Sequence, residues 1–350
     1  MKLRRTNIHA TGLAWLVCLC GFLPWLIAVP AQAAESSVVL MYHRFDNDKH
    51  PATSLSLKKF EAHIKELKSG AYTVLALPDL IDALEAKKNL PDKSVVITID
   101  DAYLSVQTHA WPLLKKSALP FTLFVTTQPV DMDQPGYMSW GQLKEMANSG
   151  VTFGAKAHSL ARLATQDKNA IKIEVKAAAR LLREKLGVKP VLFSFPYGIA
   201  SLETQKIVRD AGYKAAFGQH SGVLHRVTDR YFLPRFSLND AYGDIARFRT
   251  LVNAQPLPGF DVTPKNPMLT VKNNPPLFGF SVFPTVANIG NLACYHSHFG
   301  KLTLQLLGKS RVEIRFKEPF AKGRSRINCT MPGTNGRWRW FGMQYYMPGD

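Results

Sequence analysis

The sequence predicts an α/β chain: a distorted (β/α) barrel of about seven strands, followed by a small all-β, sandwich-like domain. Three observations carry that expectation. Short β-branched or apolar runs alternate with amphipathic stretches about seven times between Val38 and Leu251. Five of those runs lead directly into polar segments, as expected where parallel strands end at a common rim. Beyond Pro256-Leu257-Pro258-Gly259 the helical period fades, and short alternating runs separated by Gly, Pro and Asn take over.

Val38-Val39-Leu40-Met41 is a buried-strand pattern that ends in Tyr42-His43. Leu57, Phe60, Ile64 and Leu67 recur at helical spacing with lysines between them, and Gly70 closes that helix. Tyr72 to Leu75 reads as extended and Asp79 to Lys88 as a second helix. Val95-Val96-Ile97-Thr98-Ile99 is β-branched throughout, suits a strand buried on both faces, and stops at Asp100-Asp101. A helix near Ala110 to Lys116 and a strand from Pro120 to Val125 follow. Gly141 to Ser149 then reads as a helix, Val151 to Gly154 as a strand, and Ala170 to Leu186 as the longest helix, ended by Gly187. Pro190 to Phe195 is a strand running into Pro196-Tyr197-Gly198. Leu202 to Ala211 is a helix, and Tyr213 to Phe217 a strand that ends in Gly218-Gln219-His220. Tyr231 to Phe236 and a helix around Ile245 to Leu251 complete the alternation. No Gly-x-Gly-x-x-Gly or P-loop follows the first strand, which disfavours a nucleotide-binding sheet.

At the N-terminus, Lys2, Arg4 and Arg5 precede an apolar stretch from Gly12 to Val29 and an Ala-x-Ala exit ending at Ala33. That order reads as a secretory signal peptide over residues 1–33, with an uncleaved membrane anchor as the alternative. The mature chain would be exported, periplasmic or extracellular, with the barrel over 34–255 and the β domain over 256–350. Cys294 and Cys329 remain after the leader, so a disulfide is expected. The formal net charge is +18, and the leader carries only three of the positive charges. So basic an exported protein suits acidic cell-surface polymers or a membrane surface. Membrane contact is expected only if the leader is retained. With no Arg-rich arm and no aromatic–basic interleaving, nucleic acid is not an expected partner.

Thr98-Ile99-Asp100-Asp101 resembles the Thr-Phe-Asp-Asp motif of the NodB-like polysaccharide deacetylases (carbohydrate esterase family 4). Phe193-Ser194-Phe195-Pro196-Tyr197-Gly198 resembles their Pro-Tyr-Gly motif. Tyr42-His43, Met138-Ser139-Trp140 and Ala216-Phe217-Gly218-Gln219-His220 are similar to further segments of the group. Gly323-Arg324-Ser325-Arg326-Ile327-Asn328-Cys329 with Gly336-Arg337-Trp338 resembles a β module carried by some bacterial members. The resemblance spans most of residues 37–350. It implies removal of N-acetyl groups from a polysaccharide or oligosaccharide by metal-assisted attack of water. Asp100 would be the general base, Asp101 a ligand of a divalent metal (zinc foremost) and His220 the general acid. His43, Pro196 and Tyr197 would bind substrate. An amide carbonyl is a poor electrophile, so a metal that polarises it and acidifies water makes chemical sense. A neighbouring carboxylate can then take the proton.

The chain departs from that pattern where two metal histidines stand four residues apart in the family. Here the stretch is Gly154-Ala155-Lys156-Ala157-His158-Ser159-Leu160-Ala161-Arg162-Leu163. Aligned on Gly154 and Leu163, the two positions hold Lys156 and Leu160. Shifted by two, they hold His158 and Arg162, which makes His158 the metal ligand expected beside Asp101. An aspartate with one imidazole is a sparse zinc site. Ser194 also replaces the Arg that would orient the base. Two readings follow: a deacetylase whose metal is held by His158 or His43, or a catalytically impaired glycan-binding protein in which the Lys156 ammonium takes the cation's place. A Ser221–His220 hydrolase lacks a Gly-x-Ser-x-Gly elbow. His296 and His298 have the spacing of a metal pair on a strand, although an exposed face is the plainer reading. Trp338, Trp340, Phe341, Tyr345 and Tyr346 suit either a sugar-stacking platform or a core.

Overall fold

The computed structural model describes residues 33–349, so nearly all of the expected leader lies outside the described residues. Six parallel strands form the main sheet: β1 (Ser36–Tyr42), β2 (Ser94–Asp100), β3 (Phe121–Thr126), β4 (Thr152–Ala157), β5 (Leu192–Ser194) and β6 (Ala215–Phe217). Their spatial order is β6-β5-β4-β3-β2-β1. A short segment then joins the two edges. Leu233 bridges Phe217 of β6, and β7 (Phe236–Ser237) pairs with Leu40 and Met41 of β1. The result is the distorted barrel that the alternation predicts. Every residue of β2 is buried, which explains its unbroken β-branched run.

The helices follow the sequence signals, with shifts at their ends. Helix α1 (Leu57–Leu67) buries Phe60, Ile64 and Leu67, each contributing roughly 1.5–3 kcal/mol of apolar burial. Helix α2 (Leu77–Glu85) starts two residues earlier than expected, with Pro78 in its first turn, where a missing N–H costs nothing. Helix α3 (Trp111–Lys116) is preceded by a wider π-turn over Val106–Ala110. Helix α4 (Trp140–Asn148) begins with a reciprocal Ser139–Gln142 capping box. In α5 (Lys168–Leu186) the Asp167 carboxylate accepts from the amides of Asn169 and Ala170, and left-handed Gly187 ends the helix. Helices α6 (Leu202–Asp210) and α7 (Ile245–Val252) follow, capped by Ser201 and Asp244, and a one-turn helix covers Thr127–Asp131 after β3. No helix among the described residues is long and apolar enough to cross a membrane.

The C-terminal region is a pair of sheets. One carries β8 (Gly259–Thr263), β9 (Leu277–Val282) and β11 (Arg311–Arg315). The other carries β10 (Ala293–His296), β12 (Gly323–Pro332) and β13 (Trp338–Met347). Cys294 of β10 lies opposite Cys329 of β12, and the two form the expected disulfide. Of the two histidines, His298 is exposed as expected and His296 is not. His296 is buried among Phe299, Phe316 and Phe320, and that burial pushes its pKa down to about 4. Most of the aromatic cluster is core: Phe341 stacks on Phe280, the buried Tyr345 ring lies edge-on to Phe278, and Trp340 meets Phe236 of the barrel edge-on. Trp338 alone of the five is exposed.

Strand β13 lies directly on the barrel. A Cβ on Gly342 would fall 1.9 Å from the Ser221 carbonyl oxygen, so only glycine permits this approach. Gly342→Ala should cost about 1–3 kcal/mol through overpacking of two backbones. An unfolding free energy from chemical denaturation within about 0.5 kcal/mol of the parent would show that this contact is dispensable.

Candidate functional site

The site grows from the end of β2. Asp100 closes the strand, and Asp101 turns left-handed with φ 62° while its amide still donates to Phe124 of β3. That turn brings two consecutive carboxylates onto the rim, both buried. Buried carboxylates need partners, and each has its own set.

Asp100 is held from the closing segment. Arg235 Nη1 donates to Asp100 Oδ1 at 2.6 Å and Nη2 to Oδ2 at 2.9 Å. The same guanidinium donates to Ser194 Oγ at 2.8 Å and to the Gly218 carbonyl at 3.0 Å, and Ser194 Oγ donates on to Asp100 Oδ2 at 3.1 Å. Burial alone would raise the Asp100 pKa, but Arg235 and Lys156 reverse that and hold it well below the usual carboxylate range. Asp100, the expected base, is therefore held in a fixed orientation. Ser194 does not leave Asp100 loose; Arg235 reaches it from the closing segment just before β7. Arg235 escaped the sequence reading, although one arginine inside Phe232-Leu233-Pro234-Arg235-Phe236 needs a buried carboxylate partner.

Asp101 is held by Lys156. The Lys156 ammonium lies 2.9 Å from Asp101 Oδ1 and 3.4 Å from Asp100 Oδ2, and it is almost wholly buried. Thr126 Oγ1 donates to the same Asp101 oxygen at 2.7 Å. The backbone explains how the lysine arrives there. The register between β3 and β4 slips by one: Val125 pairs with Ala155, but Thr126 pairs with Ala157. Lys156 is the extra residue of that bulge, a device that re-aims a side chain. Burial would lower its pKa, yet the two aspartates raise it above the ordinary lysine value.

The other expected site residues divide. His43 Nε2 is 4.0 Å from Asp100 Oδ2, and burial pushes its pKa down to about 4 against the pull of Asp100. Pro196 and Tyr197 lie on the same rim in a turn where Tyr197 has φ 57°. His158, the metal ligand expected beside Asp101, has its Nδ1 3.0 Å from Thr127 Oγ1. His220 is buried against Phe232, and its charged neighbours are Arg235 and Arg326, not the aspartates. Burial pushes its pKa down to about 3, so it is neutral at neutral pH. It lines a separate cavity of about 490 Å³ between barrel and β domain, with Gln205, Phe232 and Phe341. Tyr103 and Tyr137, both overlooked in the sequence, lie beside Asp101 with their ring centres 4.8 Å apart and their planes tilted by 41°, and Arg44 sits over the Tyr103 ring at 3.5 Å.

Residues 87–216 match the family model described as polysaccharide deacetylase. The poly-beta-1,6-N-acetyl-D-glucosamine N-deacetylase of Staphylococcus aureus (strain MSSA476) is 26% identical over 232 residues, covering 59% of this chain and 80% of its own length. The structure of IcaB from Ammonifex degensii superposes with a TM-score of 0.57 at 27% identity, covering 63% of this chain and 98% of that one. Streptococcus pyogenes deacetylase PplD, in complex with acetate, shares the fold with a TM-score of 0.58 at 20% identity, covering 62% and 98%. The chain carries a polysaccharide deacetylase domain. That domain is of the amide-hydrolysing type, and the carboxylate pair sits inside the matched region.

Deacetylases of this family generally use a divalent metal, and the residues present here do not fit one. A catalytic zinc takes about three protein ligands. Among the described residues, no three His, Cys, Asp or Glu side chains are grouped to hold a metal ion. In this deacetylase domain the Asp101 oxygen that would bind a cation already accepts from Lys156 and Thr126. A metal beside it would face a buried ammonium. The four charges of Asp100, Asp101, Lys156 and Arg235 already balance.

Proposed function

We propose that this protein engages an N-acetylated polysaccharide across the barrel rim, and that Lys156 supplies the positive charge a metal would otherwise bring. The observation that carries the reading is the Lys156 ammonium, buried between both aspartates at 2.9 and 3.4 Å. The half-buried Tyr137 ring, tilted against Tyr103 beside Asp101, offers apolar surface of the kind that packs on pyranose faces. The S. aureus relative is named for poly-β-1,6-N-acetyl-D-glucosamine, so oligomers of that polymer are the first substrate to try. The signal-like N-terminus and the disulfide support action outside the cytoplasm.

The geometry also sets an expectation for rate. A base works best when its pKa lies near the working pH, and Asp100 is held far below that. An ammonium can neutralise the carboxylates and donate hydrogen bonds, but it cannot generate a bound hydroxide. Hydrolysis at this site should therefore be slow and indifferent to chelators. A second reading, glycan binding with hydrolysis lost, is favoured by the same Arg235 clamp on Asp100.

The test combines three measurements on the purified chain: metal content, calorimetric binding of β-1,6-linked N-acetylglucosamine oligomers, and acetate release with and without chelator. Binding without stoichiometric metal is expected. Slow, chelator-resistant acetate release would identify an enzyme, and no release a binder. Chelator-abolished release would remove Lys156 from its assigned role. Absence of oligomer binding would sink the whole reading. Lys156→His with Leu160→His restores the family spacing and should raise zinc content to about one ion per chain, which is the 1:1 stoichiometry of a catalytic zinc.

A further inference from the structure

Along β12, Ser325, Ile327 and Cys329 are buried while Arg324 and Arg326 alternate to the other face. Residues two apart on a strand are roughly 6.5–7 Å apart, so the two guanidiniums share one surface. That surface meets the rim. Arg324 Nη1 donates to the Tyr197 carbonyl at 3.2 Å and to Gln219 Oε1 at 3.3 Å. Gln344, opposite Arg326 in the register, donates to the carbonyls of Tyr197 at 3.2 Å and Gly198 at 2.8 Å. From the loop after β4, Arg162 places its guanidinium carbon 5.5 Å from the centre of the Tyr197 ring.

Arg162 and Arg324 thus meet at one rim turn with Arg326 beside Arg324, and none of the three has a carboxylate partner among the described residues. Other arginines of this chain do find theirs: Arg235 with Asp100, Arg337 with Asp92, Arg249 with Glu66. Arg326 Nε is buried with no hydrogen-bond partner at all. The nearby aspartates give no relief, because Lys156 and Arg235 already neutralise them. Burial lowers the Arg324 and Arg326 pKa values. Repulsion adds to this, Arg162 acting on Arg324 and Arg324 on Arg326.

We propose that Arg162, Arg324 and Arg326 bind an anionic substituent, a carboxylate or phosphate, carried by the glycan at the adjoining rim. Planar guanidiniums present paired N–H donors that match either oxyanion. The inference rests on the proposed function in placing a glycan at the rim, and it narrows the substrate to an acidic, N-acetylated polysaccharide. The strong positive charge of the whole chain would assist capture of such a polymer.

The test uses calorimetry on the full chain with three probes: a neutral β-1,6-linked N-acetylglucosamine tetramer, a tetramer alternating N-acetylglucosamine with glucuronate, and inorganic phosphate. The acidic tetramer should bind about tenfold more tightly than the neutral one, in line with charge-assisted hydrogen bonds. That advantage should shrink as salt rises. Arg162→Gln with Arg326→Gln should abolish the advantage and leave the neutral tetramer unaffected. The exposed single variant Arg162→Gln, expected to remove about half of the advantage on a logarithmic scale if contributions add, serves if the double variant does not fold. Phosphate binding that the arginine variants abolish, without a glucuronate preference, would identify the anion as phosphate. Equal affinity for both tetramers with no arginine-dependent phosphate binding would overturn the inference and leave the proposed function standing. Arginine-dependent phosphate binding with neither tetramer bound would do the reverse, and no binding of any probe would overturn both.

Discussion

Lys156→Ala should lower the stability of the protein by about 3–5 kcal/mol, the range seen when one partner of a buried ion pair is removed. For a chain of this size that corresponds to a fall in melting temperature of roughly 5–7 °C. The cause is the pair of carboxylates left behind. Asp101 would keep only Thr126 as a side-chain donor, and Asp100 would depend on Arg235, Ser194 and the more distant His43. The pH dependence provides a sharper signature. The Lys156 pKa is raised in the folded state, so its contribution is fully present below the unfolded lysine value of about 10.4 and is lost as pH rises through the folded value. Denaturant midpoints of the parent should therefore fall above about pH 10, and those of Lys156→Ala should not fall for this reason. A variant as stable as the parent, with the same alkaline decline, would mean that the ammonium is not between the aspartates.

Arg235→Leu should be at least as damaging, again by about 3–5 kcal/mol, because it strands a buried carboxylate. Arg235 is fully buried, and besides Asp100 it serves Ser194, Thr98 and the Gly218 carbonyl. The double variant Arg235→Leu with Asp100→Leu removes both charges, and it should be less destabilised than the sum of the single changes by about 1–3 kcal/mol. Additive losses in that cycle would show that the pair is not coupled. The acid limb follows from the sign of the shift. Asp100 is depressed in the folded state, so its contribution is present above the unfolded aspartate value of about 3.9 and is lost as pH falls through the folded value. Arg235→Leu should thus lose part of its acid sensitivity, which midpoints between pH 5 and pH 2 would reveal.

What was legible in the chain depended on the distance over which each feature is determined. Strand β2 is buried on both faces, so its unbroken β-branched run and abrupt aspartates could be read locally. The same holds for the cap of α5, where Asp167 and Gly187 mark both ends within one stretch. The closing segment was harder. Its strands are two residues long, and its informative feature is a charge whose partner lies 135 residues away. Side-chain direction was harder still. Sequence order places His158 and His220 after strand ends, yet a bulge at Lys156 turns the lysine inward, and His158 bonds to Thr127 instead. His220 faces the β domain because Phe232 and the segment beyond it pack there. A bulge of one residue cannot be seen in a periodicity, and it decides which group meets the aspartates.

The seating of β13 on the barrel also bears on the order in which the protein can assemble. Gln344 donates to Gly198 across 146 residues, and Arg337 grips Asp92 across 245. Contacts so remote in sequence carry a large loop-closure cost and tend to form late. The Tyr197 turn, with its left-handed backbone, acquires its last hydrogen bonds only when the final strand of the chain has been made and laid down. The rim is thus completed from the far end of the polypeptide. A chain emerging N-terminus first would hold a formed carboxylate pair well before it held a formed binding surface, and the two become one site only at the close of folding.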